Sequence, residues 1–117
     1  MENRKDKPAY LIGSSFMPEG HPSLKAYGDA VHELFEKAGA ELIVAGYTDQ
    51  EMHHFEGEWK EDARITIFKF PSMQALLSVW NSEEYQKAKH LRTDVVPPNF
   101  TFAVEGFDPS VFEKLKY

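Results

Sequence analysis

The sequence predicts an α+β domain of the ferredoxin-like type. Three observations carry that prediction. Hydrophobic periodicity alternates between two and three-to-four residues in the order β-α-β-β-α-β. Glycine, proline and serine stand where each element should stop or start. The predicted strands are apolar on both faces, so both sides of the sheet should meet something dry. One face is covered by the helices of the same chain. The economical cover for the other is a second copy, giving two facing sheets, a dimeric α+β barrel with a two-fold interface.

The elements follow in chain order. Residues 1–7 are polar and charged and read as a flexible tail. Pro8 suits the edge of a strand, and Ala9 to Phe16 forms the first strand. Tyr10, Ile12, Ser14 and Phe16 share one face. Ala9, Leu11, Gly13 and Ser15 share the other, and the small residues there allow close approach of a helix or a ligand. Pro18-Glu19-Gly20 is turn chemistry, and Pro22 opens a helix. Leu24, Tyr27, Val31, Leu34, Phe35 and Ala38 make its apolar stripe, and Gly39 closes it. Glu41 to Ala45 is the second strand, ended by Gly46. A loop at 47–51, an extended piece at 52–56 and a turn at 57–62 lead to the third strand, Arg64 to Phe70.

Pro71 ends that strand because it offers no N–H to the ladder. Ser72 then caps a helix whose stripe is Met73, Leu76, Leu77 and Trp80. Asn81 and Ser82 interrupt it, and Ser82 caps a second helix. Glu83 and Glu84 lie in its first turn, where the helix dipole favours negative charge. Val96-Pro97-Pro98 favours extended backbone, and Phe100 to Glu105 is the fourth strand. Residues 8–107 thus form one domain. In the 108–117 extension, Asp108 or Ser110 caps a short terminal helix carrying Val111, Phe112 and Leu115.

Composition narrows the function. The 117 residues suit a single domain, and the apolar share of 42% suits a globular one. A net charge of −6 argues against nucleic acid and anionic membrane surfaces, which call for a basic footprint. With no cysteine there is no disulfide, thiolate zinc site or cysteine nucleophile. No apolar run approaches the roughly 20 residues of a membrane span. The start, MENRKDK, has no apolar stretch behind it, so a cytoplasmic location is expected. The sequence carries no GxSxG, no glycine-rich phosphate loop, no HExxH and no EF-hand pattern. Neither a metal nor a cofactor is expected.

Three groups of residues are candidates for chemistry. His53-His54-Phe55-Glu56 places His54 and Glu56 on one side of an extended segment, where they could orient a proton or give two metal ligands. Two ligands do not make a site, and the plainer reading is a surface hairpin. Arg64, Arg92 and Glu105 lie at element ends. They read either as a structural Arg–Glu pair or as an arginine that holds a carboxylate or enolate. Trp80 and Tyr85 read as core whose N–H and O–H need partners, one of which a ligand could supply. Tyr10 joins these as a pocket candidate, while Tyr27 and Phe16 read as core.

The ordered set Pro8-Ala9-Tyr10, Gly39, Glu56-Gly57-Glu58-Trp59, Arg64, Phe70-Pro71-Ser72, Trp80, Ser82, the YQKAKHLR run from Tyr85 to Arg92, and Glu105-Gly106 resembles the DUF1330 family of the dimeric α+β barrel superfamily. The resemblance implies the barrel fold and a homodimer through the sheet face more firmly than an activity. Related barrels include cofactor-independent monooxygenases, chlorite-dismutase-like haem proteins and stress-response barrels. The chain departs from the family pattern at Ala45-Gly46, where Arg-Gly is usual, and at His21-Pro22, where Asp-Pro is usual. Its 47–51 loop is also longer. Three functions follow as expectations. The first is a small-ligand-binding homodimer without catalysis. The second is a monooxygenase- or isomerase-like enzyme using His54, Glu56 or Arg92. The third is a solid structural or stress-related dimer.

Overall fold

The computed structural model describes residues 7–16, 22–46, 49–60, 63–94 and 98–107. Residues 1–6 of the expected 1–7 tail, the Pro18-Glu19-Gly20 turn and the expected terminal helix within 108–117 lie outside the described residues.

Four strands, β1 (Ala9–Phe16), β2 (Glu41–Val44), β3 (Ala63–Phe70) and β4 (Pro98–Glu105), form one antiparallel sheet in the order β2-β3-β1-β4. Three helices complete the chain: α1 (Pro22–Lys37), α2 (Met73–Trp80) and α3 (Glu83–Thr93). The predicted order is roughly matched, and the break expected in the second helical position gives two short helices, α2 and α3. β4 begins two residues earlier than the sequence suggests. Pro98 is tolerated as the first residue of an edge strand, where no ladder bond needs its N–H.

The local causes are those written in the sequence. The Ser72 hydroxyl accepts from Ala75 N at 3.0 Å and starts α2. Ser82 has two tasks. Its hydroxyl donates to Val79 O at 2.7 Å, closing α2, and accepts from Tyr85 N at 3.1 Å, opening α3. Gly39 follows α1 at φ 80°, and a Cβ there would lie 3.2 Å from Pro71 Cγ, so both backbone and space call for glycine. β2 is short, with a register shift between Leu42 and Val44. The Gln50 side chain takes over where it stops, accepting from Ile65 N at 3.1 Å and donating to Ile65 O at 3.0 Å. A side-chain amide thus replaces one rung of the ladder.

The register fixes what each face carries. Ala9, Leu11 and Gly13 stand opposite Phe70, Phe68 and Thr66 of β3, and opposite Glu105, Ala103 and Thr101 of β4. On this face the core forms. Ala9 and Phe70 pack with Val31 and Phe35 of α1, Leu76 of α2, and Tyr85 and Ala88 of α3. The Phe35 ring meets Phe68 and Phe70 edge-on at 4.8 and 5.5 Å. The opposite face carries Tyr10, Ile12, Ile65, Ile67, Phe100, Phe102 and Val104. Here Phe102 is 61% exposed and Val104 45%. Trp59, from the 49–60 segment, covers one end of it by packing edge-on against Phe100 at 6.2 Å. Among the described residues, no helix is long and apolar enough to cross a membrane.

Candidate functional site

The alternation of β1 leaves a gap in the covered face. Gly13 sits between Thr66 of β3 and Thr101 of β4, and a Cβ built on Gly13 would meet nothing within 4 Å. A glycine inside a strand weakens it, and often marks a place where something approaches the backbone closely. Above this floor α1 contributes Tyr27 and Phe35, the end of α2 contributes Trp80, and α3 contributes Tyr85 and Arg92. Tyr85 and Arg92 are two helical turns apart and so share a side of α3. The residues enclose a cavity of about 170 Å³. For scale, an apolar cavity of about 150 Å³ accepts a benzene ring. Leu11 and Phe68 add to the apolar wall.

One corner of the cavity is polar. The Arg92 guanidinium donates from Nη2 to the Tyr85 hydroxyl at 3.2 Å. The Tyr85 and Tyr27 hydroxyls share a hydrogen bond of 2.9 Å. The guanidinium also lies over the Tyr27 ring, 5.3 Å from its centroid. Burial pushes the Tyr27 phenol well above its ordinary value, and the neighbouring Tyr85 adds to this, so Tyr27 stays neutral. Burial works against the charge of Arg92, but the oxygens of Tyr27 and Tyr85 outweigh it and hold the guanidinium above its ordinary value. Among the described residues, no carboxylate forms an ion pair with Arg92. The described lining residues supply hydroxyls, phenols and one fixed cation, and no carboxylate, imidazole or amine.

Three of the residues singled out in the sequence therefore meet here: Trp80, Tyr85 and Arg92. The Trp80 and Tyr85 rings lie 4.9 Å apart. The others do not line this cavity. Tyr10 is on the opposite face of the sheet, its ring against Gly106. Arg64 lies half-buried at the start of β3 and donates to Ala63 O at 3.0 Å. Glu105 is exposed and pairs with Lys7 at 3.7 Å. His54 and Glu56 are exposed on the 49–60 segment, where the His54 ring nitrogen Nε2 bonds the Glu56 carbonyl at 2.8 Å. His53 pairs instead with Glu51 at 2.9 Å. Among the described residues, no group of three or more His, Asp or Glu could hold a metal ion.

Tyr27 is the residue that periodicity conceals. On the α1 stripe it looks like any core aromatic, and nothing local to it announces a polar partner 58 positions away. The signal that could have found it is pairwise. A buried phenol needs a partner, and Tyr85 and Arg92 on the facing helix need one too.

Comparison with known proteins places the fold. A family model, a domain of unknown function (DUF1330), matches residues 8–107. Two crystal structures share the fold. The RPA0582 protein of unknown function from Rhodopseudomonas palustris is 16% identical with a TM-score of 0.60, over 90% of this chain and 86% of that one. Methylated RPA0582 protein is 14% identical with a TM-score of 0.61, over 90% of this chain and 84% of that one. No curated protein matches the chain.

Proposed function

This chain belongs to the DUF1330 family, and from that premise we propose that it is a small-ligand-binding protein that works as a homodimer. The observation that carries the reading is the cavity over Gly13, walled by Leu11, Phe35, Phe68 and Trp80, with its one cation at the Arg92 corner and hydroxyls from serine and threonine along the floor. An apolar pocket with a few convergent polar groups is the usual form of a small-molecule site. Proton abstraction needs a base within reach of the substrate. The described lining offers phenols and an arginine, neither of which is a base near neutral pH, which favours binding over turnover.

The dimer rests on the opposite face. Seven apolar side chains from β1, β3 and β4 lie together there, with Phe102 more than half exposed. A contiguous patch of this kind marks an interaction surface. In the antiparallel sheet the patch suits a two-fold meeting with its own copy.

Native mass spectrometry of the freshly purified protein tests both parts. The expected species is a dimer that carries extra mass released by denaturation. In Gly13→Val, whose side chain fills the floor, the extra mass should be lost while the dimer persists. A monomer at micromolar concentration would overturn the assembly. Retained mass undiminished by Gly13→Val would overturn the site.

A further inference from the structure

We infer that the ligand of this cavity is a flat, monoanionic organic acid, with its carboxylate held by Arg92 and its ring lying over Gly13. The inference rests on the binding reading above and adds the chemical class.

Charge comes first. Arg92 is half-buried, and of the five N–H donors a guanidinium carries, the two phenol oxygens of Tyr85 and Tyr27 take up no more than part. Among the described residues it has no carboxylate partner. A half-buried cation with unspent donors and no counter-charge is suited to receive an anion, and a carboxylate accepting two parallel N–H bonds is its best complement. The phenols add a donor. Tyr27 and Tyr85 carry two hydroxyl hydrogens, and their mutual bond uses one. The Tyr85 oxygen already accepts from Arg92, so the remaining hydrogen is left to donate towards a bound anion. Tyr27 keeps its proton throughout the neutral range.

Size and shape come next. One fixed cation in an apolar enclosure, on a chain of net charge −6, suits a single negative charge and disfavours a phosphate dianion. The volume of about 170 Å³ is that of one six-membered ring with a small substituent. The floor is flat because Gly13 adds nothing to it, and the Trp80 ring stands in the wall.

Isothermal titration of the full chain with sodium benzoate and with its neutral isostere benzamide separates the charge claim from the cavity claim. Benzoate is expected to bind at least tenfold tighter than benzamide. Arg92→Gln should erase that preference, Arg92→Lys should keep part of it, and Gly13→Val should lose both probes. If benzamide binds the wild type as well as benzoate does, the anion inference fails and the cavity reading stands. The anion inference fails in the same way if the preference survives undiminished in both Arg92 variants. If neither probe binds at millimolar concentration, the assigned class is wrong, and the binding reading then rests on the retained mass alone.

Discussion

At the scale of single residues, the polar corner makes a prediction about pH. The Tyr27 phenol titrates near 10.0 in an unfolded chain and well above that in the fold, because it is buried beside Tyr85. Between those two values the folded protein holds a proton that the unfolded chain has released, so stability must fall as pH rises. The contribution is complete below pH 10 and is lost above it, at about 1.4 kcal/mol per pH unit for one group. Urea unfolding at pH 9, 10 and 11 should show this slope in the wild type and a shallower one in Tyr27→Phe. Equal slopes would mean that Tyr27 is not shielded. The sequence shows why Arg92, Tyr85 and Trp80 are worth naming, since each is an amphipathic or charged side chain on a periodic helix. It does not show that they converge on Tyr27, because that contact depends on how α1 packs against α3. His54 and Glu56 illustrate the opposite case. Their spacing suggests chemistry, and the fold places both exposed on the 49–60 segment, outside the lining of the cavity.

At the scale of elements, the junction between α2 and α3 matters most. The hydroxyl of Ser82 serves the last turn of one helix and the first turn of the next. Removing it leaves the Val79 carbonyl and the Tyr85 N–H without that partner. Ser82→Ala should therefore destabilise the fold by about 1 kcal/mol, within the range seen for lost N-caps. It should also weaken ligand binding, because α3 carries Tyr85 and Arg92. Denaturant unfolding and benzoate titration of the same variant check both. A denaturant midpoint and an affinity equal to the wild type would show that Asn81 alone sets the break. The caps, stops and strands were legible because proline, glycine and serine act through their own backbone or nearest neighbours. The rung supplied by Gln50 was not, since a glutamine in a polar loop carries no local mark of the Ile65 backbone it meets.

At the scale of the whole molecule, the exposed sheet face is the feature to test. Phe102→Asp places a charge on that face, on the edge strand β4, without touching the core. Sedimentation velocity should show the variant as a monomer, with a far-UV spectrum like that of the wild type. A dimer that survives the charge would move the interface elsewhere. The two-faced apolar character of β3 pointed to this from the sequence alone, because a strand with apolar residues on both sides shows little polar alternation. The sheet also has a consequence for genetics. From Ala9 to Gly13 the even-numbered residues of β1 lie on the open face and the odd-numbered ones on the cavity side, and the parity reverses in the facing part of β3. A substitution scan along β1 should therefore read as a sawtooth. Changes at Tyr10 and Ile12 would segregate with assembly, and changes at Leu11 and Gly13 with ligand retention. Two phenotypes that look unrelated in a screen would then be interleaved one residue apart on a single strand.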